Sequence, residues 1–231
     1  MKRFWTGVDV AEHAEGYAIL LDGRGVRTPA RAPLLVPGAA LAQAIAGEWR
    51  AVDAAIDPRA MPMTGLANAA IDHAASDPAA FAAMLTPYAQ GELFAYRDDR
   101  DAALAAQQAA AWNPWLSWAE ARFGVEFAIG AGIMPIAQPP ATLAALRAHV
   151  TRLPPFRLAG LAPLVTIGGS LVAALAIEQQ EADAAALWPV LCLDELYQES
   201  RWGHDAQAAA ARDVRQADWL NAARFLALCG P

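Results

Sequence analysis

The spacing of apolar side chains changes character near residue 37. Before it, Tyr17–Leu21 forms a short apolar run that is followed by Asp22-Gly23 and then by Val26. An Asp-Gly pair between two apolar runs predicts a tight hairpin, because glycine readily adopts the positive φ that the turn needs. Leu34–Val36 predicts one more strand. Together these segments predict a small antiparallel β unit, which is too small to be stable alone.

Helical spacing dominates the rest of the chain. Leu41, Ile45, Trp49 and Val52 recur every three or four residues and predict one buried stripe with Trp49 in the core. Proline, glycine and capping residues mark further boundaries. Helices are expected to start at Ser76-Asp77-Pro78 (with Phe81, Met84, Leu85 and Tyr88 buried), at Asn113-Pro114 (ending at Gly124) and at Pro139-Pro140, and to cover about 170–180, 183–202 and 206–228.

This pattern predicts an α+β fold in which a small β-rich α+β domain, residues 1–60, precedes a mostly α-helical bundle domain, residues 61–231. Ile56–Thr64 is interpreted as an extended linker because it contains two prolines. Segment 125–138 is partly alternating and is a candidate for strands added to the N-terminal domain.

Composition excludes several classes of function. The chain of 231 residues has a net charge of −7 and no basic run, so nucleic acid is not an expected partner. Lys2 is the only lysine, which excludes a phosphate-binding P-loop and argues against Schiff-base catalysis. Cys192 and Cys229 are interpreted as reduced thiols. No cofactor is expected.

Targeting and membrane signals are also missing from the sequence. The first residues lack the apolar core of a signal peptide and the amphipathic stretch of a transit peptide. The most apolar window, Leu161–Ile177, is slightly short for a membrane span and is interpreted as a turn followed by a buried helix. We therefore expect a cytoplasmic protein without membrane insertion, with a monomer favoured.

Candidate catalytic and metal-binding groups are sparse. The four histidines are scattered, and none has a histidine or cysteine partner at metal-ligand spacing. Gly168–Val172 departs from the Gly-x-Ser-x-Gly nucleophile motif, so Ser170 is predicted to cap a helix. The sequence therefore predicts neither a catalytic residue nor a metal site.

Leu187–Asp205 carries the most information. On a helix, Asp194 falls within an apolar stripe and needs a partner, such as Arg201 or backbone N–H groups at a helix terminus. Glu195 and Glu199 lie on the neighbouring face and are expected to be solvated. Gly203 suits a left-handed helix end, and Asp205 suits the cap of the next helix.

Three interpretations of this segment remain open. The acidic residues are interior pairing and capping groups, or an acid/base pair, or part of a partner-binding rim. The rim consists of Asp194, Glu195, Gln198, Trp202 and Asp205. An alternative from another class is a small metal-dependent hydrolase that uses Asp194, Glu195, His204 and Asp205.

An ordered set of short blocks adds a family resemblance. The blocks are Leu21–Arg24 with Thr28-Pro29, Ala42–Trp49, Met61–Thr64, Ala70–Asp72, Tyr96-Arg97, Gln107 with Trp112–Pro114, Pro135–Pro139, Gly169–Val172, and Asp194-Glu195-x-x-Gln198-x-x-x-Trp202-Gly203-x-Asp205. In this order they resemble the ATP synthase assembly chaperone family that binds the α subunit of the catalytic head. The resemblance covers nearly the whole chain. The sequence departs from it in lacking a transit segment, as a bacterial member would, and in having Ala206–Ala208 after Asp205.

The resemblance implies a non-enzymatic function. Such a protein binds free α subunit, shields the surface meant for the β subunit, and releases α as the catalytic head assembles. It would act as a passive holdase without ATP. The acidic position of the family's Asp-Glu motif carries over onto Glu195, with Asp194 beside it. A helical interaction module with a different client remains a further alternative.

Overall fold

A computed structural model describes residues 2–230 as an α+β protein, which confirms the predicted fold class. The strands are β1 (Val8–His13), β2 (Gly16–Leu21), β3 (Arg24–Gly25), β4 (Leu35–Val36), β5 (Tyr96–Arg97) and β6 (Gly130–Ala131). The helices are α1 (Ala39–Ala51), α2 (Pro62–Ala69), α3 (Pro78–Leu85), α4 (Pro87–Gln90), α5 (Ala102–Phe123), α6 (Pro140–Thr151), α7 (Pro155–Gly168), α8 (Leu171–Glu178), α9 (Ala184–Leu191), α10 (Leu193–Trp202) and α11 (Ala206–Leu228). Within residues 2–230, no helix is both long and apolar enough to cross a membrane.

The chain forms two compact units. The first contains the chain up to Pro78, Pro154–Gly160 and the residues from Asn221 onwards, whereas the second contains Ala79–Leu153 and Leu161–Leu220. The sequence predicts a domain boundary at residue 60. Whether residues 1–60 and 61–231 fold as separate domains stays a prediction. β6, from the segment 125–138, pairs in parallel with β5 inside the second unit and not with the strands of the first.

The predicted hairpin is confirmed. β2 pairs with β3 through a turn in which Asp22 has φ 47° and Gly23 has φ 79°, the two positive values typical of a type I′ turn. β4 pairs with β2 as a further antiparallel strand. The sequence interpretation missed β1. This strand pairs antiparallel with β2, with Val8 opposite Leu21 at one end and His13 opposite Gly16 at the other. Half of β1 is polar, so its alternation was too weak to predict it.

The core of the first unit lies between this sheet and α1. Leu41, Ile45, Trp49 and Val52 are all buried, as their spacing predicts. The ring of Trp5 meets that of Trp49 edge-on with centroids 5.1 Å apart, and its indole N–H donates to the Trp49 carbonyl. The helical stripe of α1 therefore supplies the apolar surface that the small sheet needs.

The segment Ile56–Thr64 is not the extended linker that its prolines suggest. Pro58–Ala60 forms a 3-10 turn, and Pro62 is the first residue of α2. The carboxylate of Glu48, on α1, accepts hydrogen bonds from the backbone N–H groups of Met63 (2.7 Å) and Thr64 (2.8 Å) and from the Thr64 hydroxyl (2.7 Å). The cap of α2 thus comes from a distant residue, which local spacing does not reveal.

Two helix boundaries in the second unit also differ from prediction. α5 begins after Asp101, which caps it at the backbone N–H groups of Ala103 and Leu104, and it runs without a break through Asn113-Pro114. The predicted end at Gly124 is confirmed, with φ 65° and ψ 43°. Met84, predicted to be buried on α3, is 60% exposed.

The apolar window Leu161–Ile177 contains helix where a turn is expected. α7 continues past Pro163 to Gly168, and the break falls at Gly169, which has φ 68°. The helix predicted over 183–202 divides at Cys192 into α9 and α10. Burial raises the pKa of the Cys192 thiol to about 11, so this thiol is poorly reactive at neutral pH.

Helix α8 is buried along its whole length in the second unit. Water cannot reach its first N–H groups, so side chains must bind them. Ser170 accepts from the Ala173 N–H (2.9 Å), which confirms the predicted cap. The fully buried carboxylate of Glu92 accepts from the Val172 N–H (3.0 Å) and from the Ser170 hydroxyl (2.5 Å). Glu92 therefore attaches the start of α8 to the segment before β5.

Replacing Trp49 by alanine is expected to lower the free energy of unfolding by about 3–5 kcal/mol, because it empties a large buried aromatic site. Chemical denaturation with a linear fit measures this change. Trp202→Ala is the matched control, since Trp202 is 83% exposed and its loss should change the unfolding free energy by less than about 0.5 kcal/mol. Equal stability of the two variants would contradict the assignment of Trp49 to the core.

Glu92 is expected to make stability depend on pH. Desolvation by burial raises the pKa of its carboxyl from 4.5 to about 7, although the hydrogen bonds from Ser170 and from backbone N–H groups oppose the shift. The folded protein therefore holds this proton more tightly than the unfolded chain. Its stabilising contribution is present in full below pH 4.5 and is lost as pH rises through 7.

The change is best measured as a difference between the natural chain and Glu92→Gln, whose amide does not titrate. From pH 4.5 to 8 this difference in unfolding free energy should move in favour of the variant by roughly 3 kcal/mol. The exposed Glu126, changed to glutamine, is the control and should leave the pH profile unchanged. Parallel profiles for the natural chain and Glu92→Gln would refute the expectation.

Candidate partner-binding surface

The site that the sequence singles out lies on α10 and at the start of α11, within the second unit. α10 begins directly after Cys192, and its first turn carries Asp194 and Glu195. Acidic side chains at this end are favourable because the helix dipole is positive there. α10 is only ten residues long, so the predicted residues at its start and at its end lie in one region.

Asp194 has a partner, as its place in the apolar stripe requires, but the partner differs from those predicted. The side-chain amide of Gln108, on α5, donates to Asp194 Oδ1 at 2.8 Å. The other end of the same amide accepts from the Asp98 N–H at 2.7 Å. Gln108 is itself buried, so this hydrogen bond fixes the Asp194 side chain against α5.

Arg201 binds a different carboxylate. Its Nη2 lies 3.3 Å from Asp101 Oδ2, which also accepts from the Tyr197 hydroxyl at 2.7 Å. The Tyr197 hydroxyl, the Leu104 and Ala103 N–H groups and the Arg201 charge hold the pKa of Asp101 below its usual value. This cluster attaches Tyr197 and Arg201 of α10 to Asp101. Glu195 and Glu199 of the same helix make their contacts elsewhere.

Glu195 and Glu199 are not simply solvated, as the sequence suggests, because both are paired with α11. Arg215 Nη2 lies 2.7 Å from each oxygen of Glu195, and Arg212 Nη2 lies 2.7 Å from Glu199 Oε2. Glu199 is also hydrogen-bonded to His204. This bond, followed by that from Arg212, lowers the pKa of Glu199. The two ion pairs hold α10 beside α11.

Trp202 is the most exposed aromatic residue among those described, at 83% of its surface. Its indole N–H donates to Gln198 Oε1 at 2.8 Å, so Gln198 sets the orientation of the ring. The ring borders a shallow cavity of about 320 Å³. The cavity and its rim, called the Trp202 surface below, are lined by Glu195, Gln198, Glu199, Trp202, Gly203, Asp205, Ala208 and Arg212.

The connection between α10 and α11 was predicted in part. Asp205 caps α11, as expected, by accepting from the N–H groups of Gln207 (2.8 Å) and Ala208 (3.1 Å). Gly203 has φ 96° but ψ 167°, so it is extended and not left-handed helical. Only glycine adopts this combination at low cost, which explains the residue type at the bend.

The structure thus brings together four of the five predicted partner-binding residues: Glu195, Gln198, Trp202 and Asp205 line the Trp202 surface. Asp194 lies instead beside a separate cavity of about 270 Å³, together with Glu195 and Arg215. Sequence reasoning missed Arg212 and Arg215. Their spacing of three residues on α11 matches the spacing of four between Glu195 and Glu199 on α10, and this was the available signal.

The four side chains of the hydrolase alternative have separate partners. Asp194 binds Gln108, Glu195 binds Arg215, His204 binds Glu199, and Asp205 caps its own helix. Among residues 2–230, no group of three or more His, Cys, Asp or Glu side chains is placed to hold a metal ion. Each of the four side chains is therefore engaged with a residue outside the set that the hydrolase alternative would use.

Known proteins of one family resemble this chain in sequence and in fold. The family model of the ATP12 chaperone protein matches residues 2–120. The crystal structure of Atp12 from Paracoccus denitrificans is 42% identical, covers 99% of this chain and 98% of that chain, and superposes with a TM-score of 0.94. A single-substitution mutant of the same Paracoccus protein gives 41% identity, coverage of 99% and 97%, and a TM-score of 0.94.

A third structure, of the Atu1473 protein from Agrobacterium tumefaciens, is 35% identical, covers 98% of this chain and 85% of that chain, and has a TM-score of 0.92. The family model ends before α10, but the structural matches extend over both units. The chain belongs to the ATP12 chaperone family, the ATP synthase assembly chaperones.

Proposed function

We propose that the chain binds the free α subunit of ATP synthase, shields the surface that the β subunit later covers, and releases α as the catalytic head assembles. Membership of the ATP12 chaperone family supports an assembly function. The sequence blocks that resemble the α-binding chaperones support the choice of client. The proposed complex contains one monomer of this chain, which meets α in the cytoplasm.

We assign the contact to the Trp202 surface, with the half-buried Asp194 as a support for α10. The observation that carries this assignment is the 83% exposure of Trp202, whose ring is held by Gln198. Exposing the apolar surface of a large aromatic side chain to water is unfavourable for the free protein. Tryptophan is also among the residues that contribute most to binding at protein interfaces. A fixed ring also loses little conformational freedom when a partner covers it.

The charges around Trp202 suit a partner that covers them. Glu195 is about two-fifths exposed and already shares both of its oxygens with Arg215. A carboxylate that retains its guanidinium partner is less costly to remove from water than an isolated one. The paired groups thus form a polar rim with fixed geometry around an apolar centre, which is the usual anatomy of a protein interface.

The proposed mechanism is passive and involves no catalysis. A protein that binds free α but not its assembled form stabilises the free subunit by mass action, and no ATP is needed. The absence of any lysine beyond Lys2 agrees with a function that does not require a P-loop. Release follows when β competes for the shielded surface.

Co-expression of the tagged chain with α and β subunits, followed by affinity purification, tests the choice of client. We expect α to co-purify and β to be absent, and we expect the purified chain to suppress aggregation of α without nucleotide. Recovery of neither subunit, or aggregation of α at an unchanged rate, would refute the proposed function.

Trp202→Ala is expected to weaken binding of α at least about 30-fold, the effect of losing an interface contact worth about 2 kcal/mol. Because the residue is exposed, the melting temperature should not change. Phe4→Ala is the matched control, since Phe4 is an aromatic residue exposed at 68% in the first unit. Titration of labelled α measures both variants, and equal affinities would contradict the assignment of the surface.

The negative charge of Glu195 is tested by a charge swap. Glu195→Lys should weaken binding of α about tenfold, but it also places a third cation beside Arg212 and Arg215 and should lower stability slightly. The double variant Glu195→Arg with Arg215→Glu restores the ion pair and the melting temperature. If the partner recognises the charge at position 195, binding remains weak in the double variant; recovery of full affinity would show that only the ion pair matters.

A further inference from the structure

A second surface of the helical unit lies on α3, α4 and α6. One side is formed by Ala83 near the end of α3, by Thr86, and by Pro87 and Gln90 of α4. Their spacing is the i, i+3, i+4, i+7 pattern of a helical face. The other side is one face of α6 and is lined by Pro140, Leu143, Ala144, Arg147, Ala148, Thr151 and Arg152. Between them lies an open groove of about 970 Å³, called the α6 groove below.

The floor and the edge of the α6 groove are apolar. Alanine contributes Ala83, Ala144 and Ala148, and these small side chains let another backbone approach closely. Leu143 is half-buried and leaves part of its side chain available.

The charge of the α6 groove is opposite to that of the chain. Its lining includes two exposed arginines, Arg147 and Arg152, and no carboxylate. Within residues 2–230, neither guanidinium forms an ion pair, whereas Arg201, Arg212 and Arg215 of the same unit all do. The chain as a whole has a net charge of −7. A local pair of free cations next to apolar floor residues therefore selects for an acidic partner.

We propose that the α6 groove binds an acidic amphipathic helix of the client protein, as a second contact that shares no residue with the Trp202 surface. The identity of the client rests on the function proposed above. Two helical faces side by side leave a groove that a third helix fills, with its apolar residues inward and its carboxylates beside Arg147 and Arg152. The lining of α6 spans twelve residues, or about 18 Å, which corresponds to about three turns of bound helix.

The first experiment tests the groove with a defined probe. The probe is a labelled 14-residue helical peptide with leucine along one face and glutamate on both flanks, and its counterpart carries lysine in place of glutamate. We expect the acidic peptide to bind the natural chain at least tenfold more tightly than the lysine peptide, with affinity that falls as salt is raised. Equal binding of both peptides, or none, would overturn the proposal.

Charge reversal locates the binding site. Arg147→Glu with Arg152→Glu should weaken binding of the acidic peptide at least tenfold without changing the melting temperature, because both side chains are exposed. The matched control is Arg59→Glu with Arg224→Glu, which makes the same change in net charge at exposed arginines outside the groove. Equal losses in the two double variants would show that only overall charge matters and would overturn the proposal.

The α subunit itself is the second probe. The groove variant should bind α several-fold more weakly than the control variant does, and combining it with Trp202→Ala should weaken binding further. If the natural chain does not bind α, the proposed function fails, while the peptide measurements still decide whether the groove accepts an acidic helix. If α binds the groove variant and the control equally, or if the groove variant instead abolishes self-association of the chain, the client does not occupy the groove.

Discussion

Within each of the two units, a carboxylate from a separate element of the chain binds the N-terminus of a helix. The buried helix α8 has no access to water, so its first N–H groups depend on the Glu92 carboxylate and the Ser170 hydroxyl. Glu48 serves α2 in the same way in the first unit. The bonds from Glu92 and Glu48 join elements that are separate in sequence, and the positive end of the helix dipole strengthens the attraction.

This dependence explains which elements sequence reasoning could predict. The Asp22-Gly23 hairpin, the α1 stripe and the caps by Ser170 and Asp205 were predicted correctly, because each depends on residues within a few positions of one another. The start of α2 was missed because its cap lies fifteen residues away. α5 was divided wrongly at Pro114, since a proline marks a boundary only when tertiary contacts do not support the helix beyond it.

The candidate site shows the same limit. The sequence placed Trp202, Gln198 and Asp205 in one region because α10 is short and its end is marked by Gly203. It recognised that a carboxylate in an apolar stripe needs a partner, but it did not find Gln108, which is neutral and 86 positions away. An amide in a distant helix leaves no local pattern, so only the three-dimensional arrangement identifies it.

The charged groups between α10 and α11 also bear on self-association of the chain. A surface that offers a bare indole ring to a client offers it equally to every other copy of the same chain. Around Trp202, the carboxylates of α10 and Asp205 outnumber the guanidinium groups of Arg212 and Arg215. Two copies that met face to face would bring like charge against like charge before the rings could touch. If the Trp202 surface binds the α subunit as proposed, its excess of carboxylates would favour that partner over a second copy of this acidic chain.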